Sequence, residues 1–549
     1  MGGSFQSGRL SIISDSKDWH LLLLPGSGCA SLTRSFRPSV AGPLFDSLFN
    51  ACYSRLDFAG NAVHGRNKKN NGENLKKLTT IAALLATLGT GAIAAAAETA
   101  QPASEAQAKA ALQELKLARL SGRAMARVIY RGVTLIDGVG TGPAPAARSD
   151  MAIVIDGELI KAIVPATQLD KAMADGAEVI DAHGMFALPG LIDSHVHYAT
   201  QPVRATAEAE LKRNIYGGLT GVRDMAGDAR ALADWSRAAL INEITSPDIF
   251  FAALVAGPSF FQDPRTQSSS QGMQPGQAPW MYAVTAQTRL PLAIAQARGT
   301  GATGLKIYAN LPGKLVRQLI AEGKRQSFPV WTHQQVYPAT PYDSLGATSV
   351  SHVCMIGRYV RDAGKDRYGH ANEPSYAGLT AADTGIQKYI AALAKSGSIM
   401  DATLSVYIPA PAVDGKPAPS GRCPIQLAGD LTHTMQLAGV PIVAGTDTDT
   451  VADDPYPALY GELDALVRYA GFTPYQAIVA ATRTAAAALG KEREFGTLEP
   501  GKFANIALFR DDPTQNIANL HSVVLTVKRG NRFARSDYHF QPIPLPADE

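Results

Sequence analysis

Two histidines separated by a single residue are the first candidates for chemistry in this chain. His195 and His197 lie in the segment GLIDSHVHY, whose apolar start has the length and composition of a buried strand. Side chains two apart on a strand point to the same face, so both imidazoles would face one cavity. Imidazole pairs are common zinc ligands, although an isolated His-x-His pair is a weak signal for a metal site.

Four further polar residues lie where other apolar runs end. They are Lys306 in GLKIY, His333 in FPVWTH, His352 in GATSVSH and Asp447 in VAGTD. A polar side chain at the end of a buried strand needs a partner, and one metal centre would satisfy several of them together. Two alternatives stay open: Lys306 as an ordinary strand-end lysine, and His352 as a residue that binds substrate rather than metal.

Eight short apolar runs alternate with Ala-rich helical stretches after Pro189. The runs are GLIDSH, TGVRDM, DIFFAAL, GLKIYA, FPVWTH, SVSHV, SIMDATL and VPIVAGTD. This alternation predicts a parallel (β/α)8 barrel, whose active site would lie at the carboxyl ends of the strands. Two long loops, 257–283 and 408–428, would follow strands three and seven on that same side.

The segments on either side of the predicted barrel have a different texture. Residues 126–186 and 495–549 alternate apolar and polar positions and contain Asp-Gly pairs, which is typical of β-hairpins. We therefore expect an α/β protein in which a TIM-type barrel, residues 187–494, is inserted into a small β-sandwich formed by both flanks.

The first 125 residues read as targeting and linking sequence. A basic stretch, RNKKNNGENLKKL, precedes the apolar run TTIAALLATLGTGAIAAAA, which predicts a signal peptide at 72–97 with cleavage near Ala97. A retained membrane anchor and a structural helix are the alternatives. Residues 1–71 would be a leader that is disordered or absent from the mature protein, and 98–125 a helical linker. The mature chain would be periplasmic or secreted and would have no membrane contact.

Charge and cysteine content limit the possible partners. The net charge of the chain is +3, but without residues 1–97 it has 41 Lys and Arg against 43 Asp and Glu. No segment combines a basic stripe with aromatic residues, so we expect no nucleic-acid partner. A small-molecule substrate and a possible homo-oligomer remain. Cys354 and Cys423 could pair in an oxidising compartment, but two buried free thiols are the preferred interpretation.

The order His-x-His, Lys, His, His, Asp on strands one, four, five, six and eight resembles the amidohydrolase superfamily. The resemblance is strongest to its imidazolonepropionase-like, prolidase-like and ochratoxinase-like branch, and it covers roughly residues 126–535. It extends to segments without ligands: ALPGLIDSHVHY, GGLTGVRDM, FTPYQAIVAATRTAAAALG and FGTLEPGKFANIALF. One departure is Ala504–Asn505, where the family often has Ala-Asp in the closing β-sandwich strand.

The resemblance implies a metal centre with a carboxylated lysine. His195, His197 and Asp447 would hold the more buried of two divalent ions. His333 and His352 would hold the second, and Lys306, carboxylated by carbon dioxide, would bridge the two. The ions, zinc by default, would share a hydroxide, and Asp447 would act as general acid and base.

These roles predict a secreted metal-dependent amidohydrolase that cleaves an amide carbon–nitrogen bond, with a dipeptide or N-acyl amino acid as substrate. The alternatives are a lactonase or cyclic-amide hydrolase on the same site, a mononuclear deaminase and, least favoured, a non-catalytic metal-binding protein. The substrate carboxylate would need a cationic partner, for which the candidates are Arg223, Arg358 and Lys314. Five aromatic residues could line the mouth or merely pack: Tyr308, Tyr337, Phe260, Phe261 and Trp280.

Overall fold

The computed structural model describes residues 11–15, 18–22, 127–362, 376–409, 423–448 and 453–542. The chain divides into two compact units, Met1–Lys109 and Ala110–Glu549. In the first unit, strand β1 (Ser11–Asp15) pairs antiparallel with strand β2 (Asp18–Leu22). The predicted signal peptide (72–97), the predicted linker up to residue 125 and most of the predicted leader lie outside the described residues.

The second unit opens with the hairpin-rich segment that the sequence predicts. Its strands are β3 (Val128–Leu135), β4 (Arg148–Asp156), β5 (Leu159–Pro165), β6 (Glu178–Asp181) and β7 (Phe186–Pro189), with the short helix α1 (Lys171–Ala174) before β6. Strands β3, β4 and β5 pair antiparallel, whereas β6 and β7 run parallel to β3. The turns between β3, β4 and β5 follow the Asp-Gly pairs.

Ten strands follow, of which eight form the barrel. They are β8 (Leu191–Val196), β9 (Leu219–Asp224), β10 (Asp248–Ala256), β11 (Gln277–Ala278), β12 (Met281–Ala283), β13 (Gly304–Ile307), β14 (Val330–His333), β15 (Ser349–Ser351), β16 (Ile399–Asp401) and β17 (Ile442–Val443). Strands β11 and β12 belong to the long loop after β10. The other eight are the eight predicted strands, and neighbours pair in parallel in chain order.

The barrel is nearly closed, and two backbone hydrogen bonds join its first and last strands. Ser194 N donates to Ala444 O at 3.0 Å, and Asp447 N donates to His195 O at 2.8 Å. The predicted (β/α)8 barrel is thus confirmed. Because the closing bonds involve His195 and Asp447, closure of the barrel itself brings two predicted site residues together.

Helices lie between the barrel strands and after the last of them. They are α2 (Arg204–Tyr216), α3 (Ala229–Leu240), α4 (Pro264–Ser268), α5 (Leu290–Gly299), α6 (Gly313–Arg325), α7 (Met355–Asp362), α8 (Thr384–Ser396), α9 (Ile425–Leu437), α10 (Leu459–Ala470), α11 (Pro474–Ala480) and α12 (Arg483–Ala488). Six 3-10 helices lie at Ala166–Gln168, Pro258–Gln262, Pro341–Ser344, Leu404–Tyr407, Ile517–Ser522 and Arg535–Asp537. In the described part of the chain, none of these helices is both long and apolar enough to cross a bilayer.

After the barrel, the chain adds three strands to the sheet that contains β3–β7. Strands β18 (Ile506–Phe509), β19 (Val523–Lys528) and β20 (Asn531–Ala534) form an antiparallel ladder, and β18 pairs with β7. Both flanks therefore contribute to one mixed eight-stranded sheet beside the barrel. The prediction that a barrel is inserted between two halves of a β domain is confirmed.

A tryptophan fills the base of the barrel. Trp331 of β14 is fully buried, and its indole nitrogen donates to Ala488 O at 2.8 Å. The neighbouring strand begins with Gly304, where an added Cβ would lie 2.6 Å from the Trp331 ring. Glycine is therefore required at this position because the ring occupies the space of its missing side chain.

The preference for two free thiols is wrong. Cys354 and Cys423 form a disulfide with their Cα atoms 6.2 Å apart. The fold packs the loop after β15 against the start of α9, and the separation of 69 residues hides this neighbourhood in the sequence. The disulfide therefore fixes the segment that directly follows His352.

We expect the double substitution Cys354→Ser and Cys423→Ser to lower the free energy of unfolding by about 2–4 kcal/mol, because the cross-link restricts the unfolded chain. Urea denaturation of the oxidised, reduced and substituted proteins measures the effect. Reduction of the unsubstituted protein should lower the midpoint as the double substitution does. Identical midpoints for the oxidised and substituted proteins would contradict the expectation.

Candidate metal centre

Three predicted ligands meet at the carboxyl end of the barrel. One ligand atom from each of His195, His197 and Asp447 lies within 4.8 Å of those of the other two. Asp447 Oδ1 is 3.4 Å from His195 Nε2 and 3.2 Å from His197 Nε2. Two imidazole nitrogens and a carboxylate oxygen are a donor set that zinc and similar divalent ions prefer, so these residues fit a metal ion.

Each of the two histidines is held by its other ring nitrogen. His195 Nδ1 lies 2.7 Å from Asp401 Oδ2, and His197 Nδ1 lies 3.0 Å from the carbonyl of Ala226. Both acceptors favour a proton on Nδ1, which leaves the lone pair on Nε2, the atom that faces Asp447. Such outer partners orient metal-binding histidines and raise their basicity.

Two further histidines lie beside the first group. The ring of His352 is centred 5.3 Å from that of His195 and 4.6 Å from that of His333. His352 Nδ1 is 3.6 Å from Asp447 Oδ2 and 3.0 Å from Thr403 Oγ1. His333 Nδ1 lies 2.8 Å from the carbonyl of Gln334. The structure thus brings the four predicted histidines together, with ring nitrogens of His195, His197 and His352 within 3.6 Å of an Asp447 carboxylate oxygen and His333 beside His352.

Lys306 lies in the barrel interior and is fully buried. Its ammonium group contacts Ser351 Oγ at 3.4 Å, and the carboxylates of Asp401 and Asp447 attract it without forming a salt bridge among the described residues. Burial lowers the pKa of Lys306 to about 8. A buried ammonium with one weak hydrogen bond is costly, so the site favours a form of this side chain that carries no positive charge.

Asp401 is a central residue of the site that the sequence reasoning missed. Its carboxylate is fully buried, and Oδ2 contacts His195 Nδ1, Ser351 Oγ at 2.9 Å and Arg223 Nη2 at 3.2 Å. A signal was available, because Asp401 lies near the end of the predicted strand SIMDATL much as Asp447 lies at the end of VAGTD. It supports the site from beneath rather than facing the mouth.

Arg223 does not fit the predicted role of binding a substrate carboxylate. Its side chain is fully buried below the site, where Nε donates to Ser194 O at 2.5 Å and Nη1 donates to Ser349 Oγ at 3.1 Å. The guanidinium also lies over the ring of Trp331, 5.0 Å from its centroid. A substrate at the mouth cannot reach it, so this candidate was wrong.

The backbone is strained at the ends of three neighbouring strands. His352, Thr403 and Asp447 have φ angles of 76°, 51° and 47°, which non-glycine residues rarely adopt. Each such residue costs on the order of 1–3 kcal/mol, and strain of this kind clusters at functional sites. Gly445 lies close to these strand ends. Glycine is required there because an added Cβ would be 2.7 Å from both Asp401 Oδ1 and His195 Cβ.

The protonation states of three of the four histidines agree with a metal-binding role. Burial lowers the pKa of His195 and of His352 and lowers that of His333 to about 3, so these rings are neutral and can donate a lone pair. Burial alone would lower the pKa of His197, but the adjacent Asp447 carboxylate raises it. Burial would raise the pKa of Asp447, yet the surrounding imidazoles hold it well below its usual range.

Aromatic side chains form one wall beside His333. The ring of Tyr308 is centred 4.9 Å from that of His333, and Phe260 packs on Tyr308 at 4.6 Å. Phe260 and Phe261 are buried, and Trp280 donates to Ser269 O at 2.9 Å beneath the guanidinium of Arg230, so these three pack rather than face the mouth. Tyr337 is 41% exposed, and Lys314 and Arg358 lie on the helices that follow strands four and six.

The sequence is similar to that of known hydrolases. Residues 359–534 match the model of the Amidohydrolase family. The chain is 24% identical over 422 residues to an imidazolonepropionase of Solibacter usitatus, an alignment that covers 70% of this chain and 92% of that protein.

Two solved structures illustrate the likeness in fold. An Xaa-Pro dipeptidase with bound methionine in its active site gives a TM-score of 0.56 at 19% identity and covers 74% of this chain and all of that one. Ochratoxinase of A. niger gives a TM-score of 0.56 at 18% identity, with 74% and 96% of the two chains covered. At these identities the likeness shows the fold alone.

Proposed function

Because this chain belongs to the amidohydrolase superfamily, we propose that it is a metal-dependent hydrolase that cleaves an amide carbon–nitrogen bond. The observation that carries the proposal is the convergence of His195, His197 and Asp447 at the carboxyl end of the barrel. This is the end where barrel enzymes place their active sites. Among the described residues, these three form the only group of His, Cys, Asp or Glu side chains close enough together to hold a metal ion.

We further propose that two divalent ions, zinc by default, bind here and that Lys306 bridges them as a carbamate. His333 and His352 would supply the second set of nitrogens, since their rings are 4.6 Å apart beside Asp447. A carbamate would replace the poorly partnered ammonium of Lys306 with two anionic oxygens. When bound, the ions would polarise the scissile carbonyl and lower the pKa of the attacking water.

Asp447 is the residue proposed to move the proton. Its side chain is 22% exposed, so its carboxylate opens toward the mouth while contacting His195 and His197. It would accept a proton from the attacking water as the carbon–oxygen bond forms, and return that proton to the leaving nitrogen as the carbon–nitrogen bond breaks. The products are one carboxylic acid and one amine. Asp401 and Arg223 stay ionised beneath the site and keep His195 oriented.

The preferred substrate is a dipeptide or an N-acyl amino acid. The fold shared with an Xaa-Pro dipeptidase supports this choice, and Lys314 or Arg358 would bind the substrate carboxylate now that Arg223 is excluded. A cyclic amide is the second candidate, because the chain is also similar to an imidazolonepropionase.

Export to the periplasm or beyond is part of the proposal. The disulfide between Cys354 and Cys423 supports it, because structural disulfides persist mainly in oxidising compartments.

The test is metal analysis of the purified chain together with a substrate panel of Xaa-Pro dipeptides, N-acyl amino acids, cyclic amides and lactones. We expect bound divalent metal, hydrolysis of a member of the amide classes, loss of hydrolysis on chelation and its return with added zinc. A chain that binds no divalent metal and leaves every panel member intact would contradict the proposal.

A further inference from the structure

The end of strand seven and the loop after it hold both the backbone and the side chain of His352. His352 N donates to Asp401 O at 2.9 Å, and its side-chain Nδ1 lies 3.0 Å from Thr403 Oγ1. The next residues are held as well, since Cys354 N donates to the hydroxyl of Tyr407 at 3.4 Å. The orientation of the His352 ring therefore depends on where this loop places Thr403.

A buried carboxylate from a different helix fixes that loop. Glu462 of α10 is fully buried, and it accepts hydrogen bonds from Leu404 N at 2.9 Å, Ser405 N at 2.7 Å and Ser405 Oγ at 2.7 Å. The first two donors belong to the first turn of the 3-10 helix Leu404–Tyr407, which begins directly after Thr403. Backbone N–H groups at a helix start lack intrahelical partners, and the Glu462 oxygens satisfy two of them. Burial raises the pKa of Glu462 to about 8, so these hydrogen bonds rather than a full negative charge hold the turn.

Thr403 needs such support because its own backbone is unfavourable. It lies in the left-handed region with φ of 51°, and His352 does so with φ of 76°. A β-branched residue adopts that conformation only when its surroundings enforce it. The three hydrogen bonds to Glu462 begin one residue later and supply that constraint.

We propose that Glu462 is a positioning residue for His352, acting through the turn that carries Thr403. The inference rests on the proposed function, because its purpose is to present His352 at the metal centre. In the part of the chain that the structure describes, the hydrogen bonds of Glu462 go to Leu404 and Ser405 and none goes to a predicted ligand. The isosteric replacement of Glu462 by glutamine keeps one acceptor oxygen but places an NH2 group, which cannot accept, against the donors of the turn. We therefore expect the turn to shift and the contact between Thr403 and His352 to be lost.

The first experiment uses the metal-free full chain with 15N-labelled histidine, in which the His352 ring signals are assigned from a His352→Asn protein. We expect Glu462→Gln and Thr403→Val to shift the His352 ring nitrogens in the same way, and the double variant to shift them no further. Asp248→Asn is the matched control, since Asp248 is a buried carboxylate at the start of β10 that bonds Arg529 at 2.7 Å. It should lower stability without moving the His352 signals.

The second readout is cobalt binding by the same proteins, followed through the visible absorption of the ion. Loss of outer support for a metal-binding histidine typically weakens affinity about 10- to 100-fold. We expect a weakening of this size in Glu462→Gln and Thr403→Val, and none in Asp248→Asn.

Unchanged His352 signals in Glu462→Gln would overturn the positioning role, whether or not cobalt binding is weakened. A chain whose His352 signals shift as expected but which binds no cobalt would contradict the proposed function and leave the positioning role intact. The two proposals therefore fail separately.

Discussion

The Lys306→Ala protein is expected to lose one of two bound metal ions and on the order of 10³-fold in kcat/KM. The proposed carbamate cannot form without the lysine amine, and several kcal/mol of transition-state stabilisation would disappear with the second ion. Metal analysis and amide hydrolysis on the same preparation measure both effects. A short carboxylate such as acetate, added to the variant, should restore part of the activity because it can supply the missing anionic oxygens.

Lys528→Met is the matched control for Lys306→Ala. Lys528 is also fully buried, but its ammonium donates to Ala239 O at 2.6 Å, outside the cluster of metal-ligand candidates. This control should lose stability and keep its metal content. A single metal ion per chain that is unchanged by Lys306→Ala would rule out the carbamate bridge and favour a mononuclear enzyme, the deaminase included.

The Asp447→Asn protein is expected to lose about 10²–10⁴-fold in kcat, the range attributed to a positioned general acid and base. An amide keeps an oxygen toward His195 and His197 but cannot accept and return a proton. Steady-state kinetics at saturating zinc separates a loss of metal binding from a loss of proton transfer. We expect the loss in kcat to persist however much zinc is added.

Asp401→Asn provides the contrast to Asp447→Asn. Asp401 holds His195 Nδ1 at 2.7 Å but lies beneath the site, so its replacement should weaken metal binding about 10- to 100-fold. Excess zinc should then restore most of the activity. If excess zinc rescued Asp447→Asn equally well, Asp447 would be a ligand without a role in proton transfer.

Much of the fold follows from local sequence patterns. The eight barrel strands are short apolar runs between helical stretches, and each predicted ligand is a polar residue at the end of such a run. Strand pairing then places His333, Ser351 and Asp401 level with one another, because His333 pairs with Ser351 and Ser351 with Asp401. The alternation of apolar runs and helical stretches could therefore predict that these strand ends lie side by side, but it could not predict the distances between their side chains.

The features that the sequence did not reveal all depend on contacts between distant segments. The sequence identifies Arg223 only as a residue of the predicted strand TGVRDM. The folded barrel shows that its side chain lies beneath the site and contacts Asp401, 178 residues away. Glu462 and Ser405 are 57 residues apart. The Cys354–Cys423 disulfide could not be predicted for the same reason, because the local sequence pattern does not show which loop packs on which helix.

The closure of the barrel has a thermodynamic consequence. Strand β17 pairs with β16 over two residues, and it meets β8 through the amides of Ser194 and Asp447. In the described residues this junction has the fewest backbone strand pairs of the barrel, and hydrogen bonds from Thr446 to Asp193 supplement them. Among the barrel strands, we expect local opening and amide hydrogen exchange to be fastest there. Because His195 and Asp447 lie on opposite sides of it, any ion that binds both holds the junction shut. Metal affinity and local unfolding are therefore linked, because tighter binding of the ion raises the free energy needed to open this junction.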